Sequence, residues 1–95
     1  MKVKWSIKAL IDFDEAQNWI AHENPVAARA VARRIRDAAQ LLRANPRAGT
    51  PAHIEDARIW VVARTPYLIV YRVRGETLEI LRLWHSRRDW KNAGD

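Results

Sequence analysis

The segment YLIVYRVRGETLEILRLWH, residues 67–85, contains two extended runs separated by a turn signal. The runs 67–74 and 77–85 are rich in β-branched and aromatic residues, which favour strands. Gly75-Glu76 has glycine first, as suits a two-residue hairpin loop. In that register the facing residues are opposite charges or aliphatic pairs: Arg72–Glu79, Val70–Leu81 and Leu68–Leu83. The segment therefore predicts an antiparallel hairpin.

A third extended run, residues 58–64, precedes this hairpin and gives the predicted sheet two unlike faces. One face is aliphatic and is expected to pack under helices: Ile59, Val61, Ala63, Leu68, Val70, Leu81 and Leu83. The other mixes aromatic, aliphatic and arginine side chains and is expected to be partly open: Arg58, Trp60, Val62, Arg64, Tyr67, Ile69, Tyr71, Val73, Leu78, Ile80, Arg82 and Trp84. Aromatic bodies with cationic tips suit a protein or nucleic-acid partner. The alternative is a second small core, covered by the C-terminal tail and filled by the aromatic residues Trp60, Tyr67, Tyr71 and Trp84.

Two amphipathic helices are predicted ahead of the sheet. Ser6 can cap a first helix over residues 7–22, and Asn24-Pro25 marks the start of a second helix that runs to about Ala44. The apolar face of the first helix, with Ile11 beside it, comprises Leu10, Phe13, Gln17 and Ile20. The second helix has an apolar face and a basic face: Ala28, Val31, Ile35, Ala38, Ala39 and Leu42 on one, Arg29, Arg33, Arg36 and Arg43 on the other.

The short break between the helices predicts an antiparallel helical hairpin. Residues 2–6 alternate, with Val3 and Trp5 on one face, and predict a short strand. Residues 45–57 contain prolines and a glycine and predict a loop. The order of elements is therefore β-α-α-β-β-β, which is an α+β fold, and a chain of 95 residues is expected to form one domain, 1–95.

Charge is the most informative bulk property, because 17 Lys and Arg against 11 Asp and Glu give a formal net charge of +6. An acidic partner is expected, either nucleic acid or an acidic protein. No run approaches the roughly 18 apolar residues of a membrane span, and the N-terminus lacks the features of a secretory signal. The absence of cysteine suits a reducing compartment. We therefore expect a cytoplasmic protein without a membrane partner.

Three segments in this order match a known family pattern: ENPVAARAVARRIRDAAQLLRANPRAG at 23–49, RTPYLIVYRV at 64–73 and EILRLWHSRRDW at 79–90. They resemble the ParE/RelE superfamily of toxins from bacterial type II toxin–antitoxin modules, and the ParE branch more than the RelE branch. The resemblance implies a helical hairpin packed on an antiparallel sheet. It also implies a small cognate antitoxin whose acidic, apolar C-terminal segment lies in grooves beside the hairpin and the sheet.

The two branches imply different targets. ParE-type members poison DNA gyrase without hydrolytic chemistry and are associated with plasmid stabilisation, whereas RelE-type members cut mRNA on the ribosome. RNA cleavage needs a base, an acid and cations at the phosphate. The available groups are Arg58, Arg82 and His85. Positions where RNA-cleaving relatives tend to carry a strand arginine hold Val61 and Val62, and the loop with His53, Glu55 and Asp56 has no lysine.

A ParE-like function is therefore the primary prediction. The alternatives are a ribosome-dependent endoribonuclease and a degenerate protein that only binds an antitoxin or regulates its own expression. Candidate target-binding residues are Arg64, Tyr67, Tyr71, Arg82, Trp84, Arg87 and Arg88. Candidate antitoxin contacts are Trp19 and Trp60, although Trp19 could equally pack in the core. His85 is predicted to point toward the helices and, if structural, to donate to a backbone carbonyl. No cofactor and no metal are expected, because His22, His53 and His85 are scattered.

Overall fold

The computed structural model describes residues 1–54 and 56–88. In chain order the elements are β1 (Lys2–Trp5), α1 (Ile7–Glu23), α2 (Pro25–Ala44), β2 (Thr50–Pro51), β3 (Ala57–Val61), β4 (Tyr67–Arg74) and β5 (Thr77–His85). This order confirms the predicted α+β fold, to which the structure adds the short strand β2. In residues 1–54 and 56–88, neither α1 nor α2 combines the length and the hydrophobicity of a membrane-spanning helix. Glu55, Asp89 and Trp90, which the sequence motifs include, lie outside the described residues.

The five strands form one mixed sheet in the order β1-β5-β4-β3-β2. Strands β3, β4 and β5 make the predicted antiparallel meander. Strand β1 adds to it in parallel, with Val3 beside Leu78 and Trp5 beside Ile80. Parallel neighbours need a long connection, and the helices and the meander lie between β1 and β5 in the chain. One parallel pairing therefore joins the N-terminus to the last strand.

The helical hairpin begins and turns where the sequence predicts. The Oγ of Ser6 accepts a hydrogen bond from the N–H of Ala9 at 3.0 Å, and its hydroxyl donates to the carbonyl oxygen of Leu81 at 2.8 Å. The Oδ1 of Asn24 accepts from the N–H of Ala27 at 3.0 Å. The predicted apolar face of α2 is buried or half-buried, and its basic face is exposed. Each cap satisfies an N–H group that the first helical turn leaves without a partner.

Helix α1 contacts the core through a face that differs from the predicted one at two positions. At each of them the neighbouring residue faces the core instead. Leu10 and Ile11 are 54% and 52% exposed, so placing them on the core face was wrong. The residues that contact the core follow the helical repeat: Ala9, Phe13, Ala16 and Ile20. Alanine fits the same period as the larger residues and lets helix backbones approach closely. A prediction from hydrophobicity alone therefore selected the larger Leu10, whereas its neighbour Ala9 is the residue that contacts the core.

The β4–β5 register holds near the turn and changes at a β-bulge. Arg72 lies opposite Glu79 as predicted, and their Nε and Oε1 atoms are 2.9 Å apart. Leu81 is an extra residue that shifts the ladder, so the other two predicted pairs are wrong: Val70 lies opposite Arg82, and Leu68 lies opposite Trp84. A bulge inserts one extra residue into a strand and shifts the period-two alternation of its side chains. This sequence contains no feature that marks the insertion.

The two faces of the sheet are reversed relative to the prediction. The face under the helices carries the aromatic and aliphatic residues Tyr67, Ile69, Tyr71, Leu78, Ile80 and Leu83. The other face carries a smaller cluster whose buried members are Ala57, Val70 and Trp84. Partly buried apolar residues pack against it, namely Ala52, Ile54, Ile59 and Leu81. Both faces are apolar enough to pack, and the longer aromatic side chains fill the space beneath the helices. Leu83 faces the helices as predicted, because the bulge places it there.

Candidate functional site

Arg82 is held by α1. Its Nε and Nη2 atoms donate to the two carboxylate oxygens of Asp12 at 2.8 and 3.0 Å. The backbone N–H of Leu83 also donates to Asp12, at 2.9 Å. The guanidinium lies over the Trp84 ring, 5.6 Å from its centroid. Such a two-pronged, charge-assisted contact fixes the guanidinium plane, so Arg82 joins α1 to the edge of β5 beyond the end of β1.

His85 ends β5 on the helix side of the sheet. Its ring makes an edge-on contact with Tyr67, with centroids 5.4 Å apart. The Nδ1 atom accepts a hydrogen bond from the N–H of Arg87 at 3.1 Å. At this nitrogen the ring therefore accepts from the backbone, whereas the prediction had the ring donating to a backbone carbonyl. The N–H of Ser86 donates to the carbonyl of Pro66 at 2.7 Å. These contacts fix the start of the C-terminal tail.

The three residues considered for RNA cleavage do not converge. Arg58 lies opposite Tyr71 on β3, and its Nη1 donates to the carbonyl of Gly49 at 2.7 Å. His85 lies opposite Tyr67, two strands away. Strand geometry then separates the two positions by roughly 13 Å along the strands and about 10 Å across them. The guanidinium of Arg82 is bound by Asp12. The structure therefore does not assemble one acid–base–cation site from this set.

Beyond β5, Arg87 and Arg88 are exposed. The Arg88 guanidinium lies over the ring of Trp19, 5.3 Å from its centroid. Trp19 is 68% exposed, so its predicted alternative, packing in the core, is wrong. A shallow depression surrounds this pair, and its lining residues are Glu15, Asn18, Trp19, His22, Glu23 and Arg88. The structure thus brings together one residue predicted to contact the target and one predicted to contact the antitoxin.

Trp60 lies between two neighbouring depressions, which together we call the β3 groove. The first, between α2 and the β3–β4 turn, is lined by Arg34, Asp37, Ala38, Leu41, Trp60, Val62, Ala63 and Arg64. The second lies at the edge of the sheet and is lined by Ala48, Thr50, Pro51, Ile59, Trp60 and Val61. Strand β2 begins at Thr50, opposite Ile59. Among the described residues, no strand covers the outer edge of β3 beyond that pair.

Arg64 is presented by the β3–β4 turn in an unusual backbone conformation. Its φ is 62°, which is in the left-handed region that few residues other than glycine adopt. Its carbonyl accepts a long hydrogen bond, 3.5 Å, from Nη1 of Arg34. The exposed side chain of Arg64 therefore stands at the rim of the β3 groove.

Tyr67 and Tyr71 are buried and are not surface contacts, which corrects the prediction that they bind a target. The Tyr71 hydroxyl donates to the carbonyl of Pro46 at 2.8 Å and accepts from the N–H of Gly49 at 2.9 Å. Burial raises the pKa of Tyr71 above its usual value of 10.0, although the Gly49 hydrogen bond and the Arg58 charge oppose this. Tyr71 therefore fixes the loop that leads from α2 into β2. Trp84, another predicted target contact, is 5% exposed and packs on the outer face of the sheet.

Sequence reasoning did not identify Asp12 as the partner of Arg82, or Tyr71 as the partner of Gly49. Neither pair has a local signal, because the residues are far apart in the chain and meet only in the folded sheet. Within residues 1–54 and 56–88, no group of three or more His, Asp or Glu side chains has a metal-binding arrangement.

The sequence and the fold were compared with known proteins. Residues 3–90 match the family described as the ParE toxin of the type II toxin–antitoxin system parDE. A putative toxin, Y4kP, of Sinorhizobium fredii is 35% identical over 94% of this chain and 92% of its own. Toxin RelE2 of Caulobacter vibrioides is 32% identical over 92% and 97%. A chain of the chromosomal ParDE TA system from P. aeruginosa superposes with a TM-score of 0.81, at 28% identity, covering 90% of this chain and 95% of that one.

Proposed function

Because this chain belongs to the ParE toxin family of type II toxin–antitoxin systems, we propose that it acts on DNA gyrase by binding, without hydrolytic chemistry. The contact that we assign to the target is the basic pair Arg87 and Arg88. Both side chains are exposed directly after β5, in a chain with a net charge of +6. A gyrase–DNA complex presents the acidic surface that such a pair would complement.

The observation that favours binding over cleavage is the state of Arg82 and His85. A phosphate-binding arginine must be available to the phosphate, but the Arg82 guanidinium already binds both oxygens of Asp12. Nδ1 of His85 accepts from the backbone N–H of Arg87, so this ring nitrogen is not available as a general base. Arg58, the third member of the set, lies two strands from His85.

A gyrase assay tests this proposal. The purified chain is expected to inhibit supercoiling or to stabilise cleaved DNA, and R87E/R88E is expected to abolish that effect. The matched control is R47E/R74E, which makes the same charge change at two other exposed arginines and is expected to retain inhibition. Gyrase that is unaffected by the wild-type chain, or equal losses in both double variants, would contradict the proposal.

Cleavage of mRNA on the ribosome is the second candidate, and the similarity to toxin RelE2 favours it. The same purified chain added to programmed ribosomes distinguishes the two. If mRNA is cut while gyrase is unaffected, the RelE-like function replaces the ParE-like one. In that case H85A is expected to remove cleavage, whereas H53A, at an exposed loop position, is expected to leave it intact.

We also propose that the cognate antitoxin occupies the β3 groove and the Trp19 depression. The groove has the apolar lining residues Leu41, Trp60 and Val61, and it includes the open edge of β3. Arg34 and Arg64 lie at its rim. An apolar segment with acidic residues would complement these features, and the open edge of β3 would accept an added strand. The acids Glu15 and Glu23 beside Trp19 would instead favour a neutral or basic antitoxin residue there.

Binding of the antitoxin encoded beside the toxin gene tests these surfaces. V61D introduces an acid at a side chain that is 61% exposed, and it is expected to weaken the complex by at least about tenfold, or 1.4 kcal/mol. V73D, a similar change at an exposed valine near the far end of β4, is the control. Unchanged affinity for V61D would exclude the β3 groove as the antitoxin site.

A further inference from the structure

Another depression lies between the two helices and is lined mainly by hydrogen-bond donors. Its lining residues are Gln17, Arg29, Ala32, Arg33, Arg36 and Asp37. The Nε2 atom of Gln17 is buried and has no hydrogen-bond partner. A buried amide nitrogen that donates to nothing costs roughly 1–3 kcal/mol. A bound acceptor that meets this amide after rotation of the Gln17 side chain would remove that penalty, so the depression is suited to a ligand with exposed oxygen atoms.

The rim of the same depression is cationic. The side chains of Arg29 and Arg33 form no hydrogen bond or ion pair within the part of the chain that is described, where the ion pairs are Arg72–Glu79 and Arg82–Asp12. The Arg36 guanidinium lies over the ring of Phe13, 5.7 Å from its centroid, which leaves its charge uncompensated. Asp37 is the one carboxylate among the lining residues. Three guanidinium groups against one carboxylate make this an anion-binding environment.

The positive charge continues along α2 beyond the depression. Arg43 lies on the same basic face and is held by its Nε, which donates to the carbonyl of Met1 at 2.8 Å. From Arg29 to Arg43 the helix rises by about 21 Å. A row of that length is longer than a single small anion and follows several consecutive phosphates of a nucleic-acid strand. The extended row therefore selects a polymer over an isolated phosphate ion.

We propose that the α1–α2 depression, with Gln17 at its floor and Arg29, Arg33 and Arg36 at its rim, binds a phosphate group of a duplex DNA backbone. The contact is independent of base sequence, because guanidinium and amide donors meet only phosphate oxygens. This site shares no lining residue with the Trp19–Arg88 depression. It therefore does not depend on which target the tail contacts.

Fluorescence anisotropy with a labelled duplex of about 20 base pairs tests the proposal on the purified full chain. R29E/R33E is expected to weaken binding at least about tenfold and to reduce the salt dependence by about two phosphate contacts. Q17M, which keeps the side-chain length and removes the amide, is expected to weaken binding about threefold, since it removes a donor without changing charge. R47E/R74E, with the same charge change at exposed sites off this face, is expected to weaken binding much less.

Three outcomes would overturn the assignment. Equal losses in R29E/R33E and R47E/R74E would mean that only net charge matters. Wild-type Q17M affinity would remove the buried amide from the site. If inorganic phosphate or a polyglutamate peptide binds in an Arg29- and Arg33-dependent way while the duplex does not, the ligand is a small anion or an acidic protein, and the DNA assignment is wrong.

Discussion

The polar groups that bind within the fold and those of the C-terminal tail have opposite environments. The Tyr71 hydroxyl and the Arg82 guanidinium each make two hydrogen bonds to partners from distant parts of the chain. Arg87 and Arg88 are exposed, and the Arg88 guanidinium lies over the ring of Trp19. Groups with internal partners stabilise the fold, whereas exposed cations are available to another molecule. The difference separates residues whose loss affects stability from residues whose loss affects binding.

The largest effect on stability is expected at Gly49. A Cβ at this position would lie 2.6 Å from the Tyr71 hydroxyl oxygen and 3.0 Å from the carbonyl oxygen of Ile59. G49A is therefore expected to lower the free energy of unfolding by about 3 kcal/mol, because neither neighbour can move without breaking a hydrogen bond or a strand. Urea denaturation measures this change.

Gly75 provides the control for that substitution. It has a φ of +59°, and a Cβ there would meet nothing within 4 Å. G75A is expected to cost only the backbone strain of about 1 kcal/mol. Equal destabilisation by G49A and G75A would show that the contact with Tyr71 does not restrict position 49.

Removal of the Asp12 carboxylate is expected to have the next largest effect. D12A leaves Arg82 and the N–H of Leu83 without this acceptor. Because Arg82 is about a third exposed, water partly replaces the lost bonds, and the expected destabilisation is about 2 kcal/mol. D14A, at an exposed α1 position, should change the urea midpoint little. A D12A midpoint equal to that of D14A would mean that the Arg82 contact contributes nothing measurable.

Y71F is expected to cost about 1 kcal/mol at neutral pH, since two hydrogen bonds are lost and Phe keeps the packing. It should also remove a pH dependence. Because burial raises the pKa of folded Tyr71 above 10.0, the unfolded chain loses this proton first, and stability present below pH 10 decreases as the pH rises above it. Denaturation at pH 9 and pH 11 should show a steeper loss for wild type than for Y71F. Parallel losses would contradict the assignment.

The smallest effect on stability is expected for R87E/R88E. Both side chains are exposed, so the change in unfolding free energy should stay within about 0.5 kcal/mol, although the Arg88–Trp19 stack is lost. Loss of gyrase inhibition with an unchanged urea midpoint would confirm the division between the two regions. A large drop in the midpoint would mean that the tail is part of the fold.

Much of the fold could be predicted because its signals are local. Ser6 and Asn24-Pro25 are followed by helices at the predicted residues, and Gly75-Glu76 turns the hairpin. The candidate site was harder to predict. Trp19 and Arg88 were assigned to different partners and share one depression, whereas Tyr67 and Tyr71 were placed on the surface and are buried. Which apolar face of a sheet meets the helices is decided by packing volume, which a period-two pattern does not contain.

Propensity, capping and charge act over a few residues, so the α+β order, both helix starts and the basic face of α2 could be inferred before folding is considered. The resemblance to the ParE/RelE toxins likewise rests on short segments of the chain. Three features arise only in the folded chain: the bulge at Leu81, the salt bridge between Arg82 and Asp12, and the amide nitrogen of Gln17 that has no partner between the helices. Those features depend on which distant groups meet once the helical hairpin packs on the sheet. Whether an arginine serves the fold or a partner therefore follows from its neighbours in space, and its position in the sequence does not reveal it.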